Sequence, residues 1–439
     1  MKFKELLDKA YKEFKTTKTN VVFQYTKPID ISIQSILDRK EIKKNMFYMN
    51  LPDNNTYLGI GKTLSYKVSS KSGINNLIKK KHTTISNKSQ ILRFFGGLAF
   101  NLNNKSSYPW NNIPRGEFYI PKILIEENKN EINFTYSRII NKSVQKKTIK
   151  NDYKKILSTF DNNIFINNKK PTIKFKSESP NKKNYTKYIN QLINEIKDKK
   201  IEKVVISRLV KYSLKSKLHI GKLIQYFNEE YPKCFNFFIC FSKQTIFTGS
   251  TPERLINLEG RSFIVDAIAG SSKTTNELKN IKEIDEHNHV IHHIYKTMSK
   301  ISSKLNKQEK PEILNLKYIK HLSTIISGTL KNDTHILNIL SDLYPTPAML
   351  GNNSKKALKY IEKTEKTDRG WYSGAIGIYD ENGEGDFYVP IRSGIIKEKL
   401  LLLFTGSGIV SKSSANKEWD ETVLKLNHIL SYFKKTNLK

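Results

Sequence analysis

A chain of 439 residues, 38% of them hydrophobic and 11% aromatic, has ample material for a packed core, which excludes wholesale disorder. The formal net charge is +35, from 76 Lys and Arg against 41 Asp and Glu. That excess is spread along the whole chain and travels with heavy use of Asn, Ile, Tyr and Phe, so it reads mainly as a solvated basic surface; a polyanion site is the minority reading, with no nucleic-acid motif to support it. Cys234 and Cys240 flank an apolar run and match neither a zinc knuckle nor a redox pair, so two core thiols in a reducing compartment are expected. The first residues lead into an amphipathic stretch without an apolar signal region, and no run approaches the ~18 apolar residues of a membrane span. A soluble cytoplasmic protein with no membrane or nucleic-acid partner is the expectation.

In chain order, residues 2–14 set Phe3, Leu6, Leu7, Ala10 and Phe14 on one helical face, predicting a short amphipathic helix. Residues 21–137 read as short strands and turns. Glycines break the apolar runs 57–61 and 94–100, as bulges or close backbone approaches do. Runs 118–125 and 132–136 flank Glu127-Asn128-Lys129-Asn130, a hairpin signature, and 103–116, with Pro109 and Pro114, reads as a polar loop. Residues 166–183, basic and polar with Pro171 and Pro180, read as a connection between an N-terminal β-rich portion, 1–170, and a second portion, 171–439. A helix is predicted over 185–198, with Tyr188, Ile189, Leu192, Ile193 and Ile196 inward. Strands follow at 203–209, 235–241, 245–248 and 262–268, then a long helix at 278–305. Further strands are predicted at 373–379, 386–396 and 399–405, and a last helix at 417–433. Short turns such as Asp380-Glu381-Asn382-Gly383 join strand pairs, so the class is α+β with large, mostly antiparallel sheets.

Several constellations could carry chemistry. Glu283 and Glu286 lie three apart on one predicted helix, and Glu418 and Glu421 repeat the spacing on another, so each pair shares a face. Two such faces could bracket a hard cation such as Mg²⁺, which prefers oxygen ligands. Taken alone, Glu pairs at helical spacing are more often solvated surface. Lys425, four residues after Glu421, is either an ion-pair partner or a cation facing a substrate carboxylate. His287, His289, His292 and His293 cluster nearby, but alternate spacing on a helix points side chains apart and argues against a histidine metal site. Gly406-Ser407-Gly408 follows the strand at 399–405 and reads as a tight turn whose N–H groups could face a carboxylate, and Ala269-Gly270-Ser271 could do the same. Arg392 stands inside the apolar run Val389-Pro390-Ile391-Arg392-Ser393-Gly394-Ile395-Ile396. It is either buried opposite an anion or exposed on an edge strand.

At these residues the chain resembles the chorismate-utilising enzymes, the isochorismate, salicylate, anthranilate and aminodeoxychorismate synthases. The ordered matches include Lys203-Val204-Val205-Ile206-Ser207-Arg208, Gly249-Ser250-Thr251-Pro252-Glu253, Ala267-Ile268-Ala269-Gly270-Ser271 and Lys282-Glu283-Ile284-Asp285-Glu286-His287. They continue through His321-Leu322-Ser323-Thr324, Tyr344-Pro345-Thr346-Pro347-Ala348, Arg369-Gly370-Trp371-Tyr372-Ser373-Gly374, Gly406-Ser407-Gly408 and Glu418-Trp419-Asp420-Glu421-Thr422. Together they span about 185–435, so 171–439 would be the chorismate-binding catalytic portion. The resemblance implies two large, mostly antiparallel sheets packed together and flanked by helices, with the active site between them. It implies Glu286 and Glu418 as magnesium ligands, with Glu283 and Glu421 beside them. Arg392, Tyr372, Lys425, Gly270 and Gly408 would contact substrate carboxylates, and Ile268, Ala269, Ser271, His321, Ala348 and Gly406 would form the pocket.

The resemblance also suggests which branch. Amine-transferring members usually carry Gln at the position of Lys203, and aminodeoxychorismate synthases often carry a nucleophilic Lys at that of Ala269. This chain has neither, and Ala267-Ile268-Ala269 is close to the Ala-Leu-Ala of isochorismate synthases. The implied reaction has Lys203 taking a proton from water as it attacks C2 of chorismate, and Glu253 donating one to the hydroxyl leaving C4. Each must be held in its less usual protonation state, which burial can do by lowering a lysine pKa and raising a glutamate pKa. Ser271, Met349-Leu350, Phe404-Thr405 and Pro390 depart from the family pattern without removing a catalytic group. A salicylate synthase, which goes on to expel pyruvate, is the nearest alternative, and a basic nucleic-acid-binding protein the alternative from another class. A monomer is expected, with menaquinone supply favoured over siderophore supply.

Overall fold

The computed structural model describes residues 1–39, 44–53, 55–89, 91–160, 170–198, 201–352 and 354–434. Among these, the strands form two sheets. The larger runs, in spatial order, through Ile173–Ser179, Val204–Leu214, Leu400–Ile409, Ser393–Lys397, Thr245–Thr251, Phe235–Ser242, Met46–Asn50, Thr56–Ile60, Ile123–Glu127, Ile132–Ile140, Val21–Pro28 and Thr83–Ser86. The smaller runs through Ser302–Lys307, Lys320–Leu330, Ser262–Ser272, Arg254–Glu259, Gly385–Tyr388, Ala375–Asp380, Arg93–Leu98, Gly116–Ile120 and Leu64–Val68, with Glu312–Asn315 also paired to Lys320–Leu330. The described pairings are antiparallel except Val21–Pro28 with Thr83–Ser86. The α+β class with two large, mostly antiparallel sheets is therefore observed. Each sheet takes strands from both sides of residue 170, so the two portions are interwoven.

Aromatic residues close the sheets on each other. Phe47 of the larger sheet stacks on Phe95 of the smaller at 4.6 Å, and Phe235 stacks on Tyr388 at 4.4 Å. Each such ring is buried, and burial contributes about 1.5–3 kcal/mol per side chain. Helices cover the outer faces. Phe3–Thr17 buries Leu6, Leu7, Ala10 and Tyr11, close to the predicted stripe. Lys182–Lys197 buries Ile189, Leu192, Ile193 and Ile196 as predicted, but it turns Tyr185 inward and leaves Tyr188 only half-buried.

Several expected elements differ in ways with a clear cause. The run 118–125 divides at Pro121, which has no N–H for a ladder, into Gly116–Ile120 of the smaller sheet and Ile123–Glu127 of the larger. The run 386–396 divides likewise: Gly385–Tyr388 belongs to the smaller sheet and Ser393–Lys397 to the larger, with Pro390 and a positive φ of 51° at Arg392 between them. Arg392 is thus in a crossover rather than within a strand. Part of the expected connection 166–183 is the edge strand Ile173–Ser179, mostly exposed and bonded on one side to Val204–Leu214, while 166–169 lie outside the described residues. The helix expected to reach 305 ends at Ser299, and Ser302–Lys307 is a strand. Gly406-Ser407-Gly408 is not a turn: it continues strand Leu400–Ile409, paired with Val205, Ile206 and Ser207.

Candidate active site

The two predicted glutamate pairs turn inward. Helix Ile281–Ser299 buries Glu283, Glu286, His287, Val290, Ile294 and Met298, a stripe at three- and four-residue spacing, and packs on Ser262–Ser272. Helix Ala415–Leu430 buries Glu418, Trp419, Thr422 and Leu426 against Leu400–Ile409. Carboxylates on a buried stripe destabilise unless they meet a cation. Here one ammonium serves all four. Lys282 Nζ lies 3.1 Å from Glu283 Oε1, 3.4 Å from Glu286 Oε2, 3.2 Å from Glu418 Oε1 and 3.8 Å from Glu421 Oε2. Among the described residues no group of three or more His, Cys, Asp or Glu side chains is arranged to hold a metal ion.

Arg208 anchors the second helix. Its guanidinium lies 3.9 Å from the Trp419 ring centroid and donates to Thr422 Oγ1 and Glu178 Oε2, each at 2.8 Å. Beneath the site, Glu365 accepts from the Ser207 N–H at 2.6 Å, and Arg369 donates to the carbonyls of Val205 at 2.7 Å and Met349 at 2.9 Å. These bonds tie the turn carrying Ala348 and Met349 to the strand that follows Lys203.

Between the sheets lies a cavity lined by Glu253, Ile268, Ala269, Ser271, Glu286, His321, Ala348, Tyr372, Arg392, Gly406, Gly408 and Lys425 among others. All twelve were expected in the site. Lys203 is fully buried behind Gly408, with Nζ 3.1 Å from Glu286 Oε1. A Cβ on Gly408 would sit 2.1 Å from Glu286 Oε1 and 2.9 Å from Lys203 Cε, so only glycine lets the two meet there. Gly270, at φ +75° in a bulge, approaches the Glu283 carbonyl so closely that a Cβ would lie 2.8 Å from it. Its neighbour Ser271 donates its N–H to Glu283 Oε2 at 2.7 Å. Lys425 bonds the Gly406 carbonyl at 2.9 Å and pairs with Glu421 at 2.5 Å.

Arg392 is 5% exposed, so its buried reading holds. Its Nη2 donates to His321 Nε2 at 2.7 Å, while its Nε is buried with no partner. His321 Nδ1 faces Ser271 Oγ at 3.0 Å and the Gly270 carbonyl at 3.3 Å. Because Nε2 accepts from the guanidinium, the ring is neutral with its proton on Nδ1; burial, then Arg392 and Lys425, hold its pKa well below the usual range. Tyr372 stacks on Phe404 at 5.0 Å.

The carboxyls are differentiated by their surroundings. Burial, with Asp266 nearby, pushes the Glu253 pKa up to about 8, and Lys203, Arg392 and Lys425 only partly offset it. Burial would push Glu286 up too, but Lys203, Lys282 and Lys425 outweigh it and hold Glu286 low and ionised. Burial raises Glu418, the attraction of Lys282 falling short against Glu421 and Glu286 beside it. One wall thus offers a proton and the other a negative charge.

Some features escaped the sequence reading. Lys282 had no assigned role, although its i,i+4 relation to Glu286 was visible. Val205, Ile391 and Ser407 also line the cavity, as do Met349, Phe404 and Thr405, which were noted only as departures. The histidines disperse: His287 Nε2 meets Thr324 Oγ1 at 2.8 Å and His289 Nδ1 meets Asn352 at 2.9 Å.

Known proteins match along the same chain. The family described as chorismate binding enzyme matches residues 7–434. Isochorismate synthase MenF of Bacillus subtilis (strain 168) is 28% identical over 348 residues, covering 77% of this chain and 74% of that protein. Isochorismate synthase EntC of Escherichia coli (strain K12) is 29% identical over 244 residues, covering 53% and 62%. The solved structure of the menaquinone-specific isochorismate synthase MenF from Escherichia coli shares the fold, with a TM-score of 0.78 over 98% of this chain and 100% of that one at 18% identity. The family match runs across both sheets and both glutamate-bearing helices, and on that basis the chain belongs to the chorismate binding enzymes.

Proposed function

We propose that the protein is an isochorismate synthase, an isomerase that interconverts chorismate and isochorismate by adding water at C2 and releasing the C4 hydroxyl as water. One observation carries this reading: a carboxyl held protonated, Glu253, lines the intersheet cavity, a buried amine, Lys203, lies behind Gly408 and pairs with the lining Glu286, and position 269 is alanine, with no nucleophilic side chain. Water is then the nucleophile the site can activate. Lys203, acting as the neutral amine once it is freed from Glu286, accepts its proton while Glu253 protonates the departing hydroxyl, and the ring double bonds shift between the two positions. Arg392, whose Nε has no partner, Lys425 and Tyr372 are assigned to the substrate carboxylates, with the backbone at Gly270 and Gly408. Ile268, Ala269, Ser271, His321, Ala348 and Gly406 shape the pocket around the ring.

The glutamates fit a hard divalent cation. They gather from two helices around one buried positive charge, and Glu418 Oε2 is buried without a hydrogen-bond partner. Mg²⁺ usually takes one or two protein carboxylates and leaves other positions to water and substrate oxygens, which suits a cluster that does not close into a cage. Glu286 and Glu418 would hold it, with Glu283 and Glu421 beside them. Bound there, Mg²⁺ would supply the charge that fixes the ring carboxylate of chorismate. Glu286 is shared between this cluster and Lys203, so engaging it elsewhere would release the amine from its ion pair.

Two buried free thiols suit a reducing cytoplasm, and no helix among the described residues is long and apolar enough to cross a membrane. We assign a monomer. The MenF alignment covers 77% of the chain against 53% for EntC, which favours menaquinone supply over siderophore supply. The test is incubation of the purified protein with chorismate and MgCl₂, with products resolved by chromatography. Isochorismate as sole product, and chorismate recovered from added isochorismate, supports the reading. Salicylate with pyruvate would replace it by a salicylate synthase, and no conversion would refute both.

A further inference from the structure

Lys282 stands one residue before Glu283 and four before Glu286, in the first turn of its helix. Its side chain is only 14% exposed, and its ammonium contacts carboxylates of both helices at 3.1–3.8 Å. Three of those partners are 11%, 10% and 3% exposed in their side chains, so this is an interior cluster rather than a surface ion pair. The ammonium sits at the point from which all four glutamates can be reached, the point a divalent cation would need. A divalent cation binds carboxylate oxygens at about 2.0–2.1 Å if it is Mg²⁺. The ammonium and the metal cannot share the cluster, because both need the same oxygens and like charges repel at this range. A lysine stem is long and flexible enough to withdraw toward solvent. The outer face of the same helical turn carries Ile281 and Ile284, exposed at 62% and 41%, so solvent lies around the helix from the cluster.

We propose that Lys282 is a tethered competitor for the divalent cation: its ammonium neutralises the cluster and joins the two helices until the metal displaces it, and it thereby sets metal affinity. This rests on the reading of Glu286 and Glu418 as the metal site. It explains why four carboxylates on two inward stripes are tolerated before any metal arrives, since removal of their only shared cation among the described residues would leave them in mutual repulsion.

The experiment is calorimetric titration of MgCl₂ into the purified wild-type protein and the Lys282→Gln, Lys282→Met and Glu418→Gln variants, without substrate. The neutral Lys282 variants should bind Mg²⁺ tighter by about tenfold or more. They should also melt lower than wild type without Mg²⁺ and show a larger Mg²⁺-induced rise in Tm. In the wild-type protein, saturating Mg²⁺ should increase acylation of the Lys282 amine by an acetylating reagent, read by peptide mass spectrometry. Equal or weaker Mg²⁺ binding in the neutral variants, or Lys282 labelling unchanged or reduced by Mg²⁺, overturns the competitor role. Saturable binding that is lost in Glu418→Gln keeps the metal site standing in that event, whereas no saturable binding in any protein overturns both.

Discussion

Replacing Glu253 with Gln should remove the acid and stabilise the protein, and both effects should depend on pH in opposite ways. The wild-type carboxyl sits at about 8 in the folded chain against an ordinary value of 4.5. The folded state therefore keeps a proton that the unfolded state has lost above pH 4.5, so stability falls as pH rises from 4.5 to 8 and is level outside that window. Each factor of ten in proton activity contributes about 1.4 kcal/mol, so the destabilisation is about 3 kcal/mol at pH 7 and about 5 kcal/mol at pH 8 and above. Gln is nearly isosteric with the protonated acid and cannot ionise. The Glu253→Gln variant should thus match wild type near pH 4.5 and exceed it increasingly toward pH 8. Its turnover should drop by about 10²–10⁴, the range for a lost general acid. The assay is denaturant or thermal unfolding of both proteins at intervals from pH 5 to pH 9, with chorismate turnover measured on the same samples. A stability difference that stays flat over this range, or a variant with near-normal turnover, would refute the reasoning.

Other perturbations follow from the same geometry. Wild-type kcat/KM should decline as pH rises through about 8, where Glu253 of the free enzyme gives up its proton; a profile level to pH 10 would contradict its role as acid. Lys203→Ala should lower kcat by about 10²–10⁴ while chorismate binding stays measurable by calorimetry, and near-normal turnover would remove Lys203 as the base. Gly408→Ala places a methyl group where Glu286 Oε1 now meets Lys203, so turnover should fall by about 10² or more, checked by steady-state kinetics at saturating Mg²⁺. Arg392→Gln removes a charged donor from the cavity and should weaken chorismate binding roughly 10- to 150-fold, read as Kd by calorimetry.

The parts of this architecture legible in the sequence are those set by local periodicity. The inward faces of the helices at 3–17 and 182–197 follow from three- and four-residue spacing of apolar residues, which any core would select. The breaks are less legible because they depend on which sheet a segment joins. Val389-Pro390-Ile391-Arg392 reads as one apolar run with its neighbours, yet the chain leaves one sheet and enters the other within it. Pro390 is the one local signal of that break, since proline has no N–H for a ladder. Ile173–Ser179 escaped because an edge strand with exposed faces carries no apolar alternation. In the site, each glutamate pair was visible as a pair. That both pairs close on Lys282 was not, because the second helix begins more than a hundred residues later and only the sheets bring it back.

The crossover at Arg392 shows why the site sits where it does. A residue other than glycine at φ +51° is held in a strained conformation, and strain persists only where surrounding structure over-determines it. The Arg392 carbonyl accepts the Ser250 N–H at 3.2 Å, and Gly249 packs so tightly that a Cβ there would lie 2.8 Å from that carbonyl. Its guanidinium is meanwhile fixed by His321, which belongs to the other sheet. The residue is thus clamped by backbone from one sheet and imidazole from the other, at the point where the chain passes between them. Any anion held by Arg392 is consequently held relative to both sheets at once, and so relative to both Glu253 and Glu286. Replacing Arg392 with Gly, which would relax the backbone, should stabilise the local turn while weakening chorismate binding. If that variant bound chorismate as tightly as wild type, the guanidinium clamped there would have no part in placing the substrate.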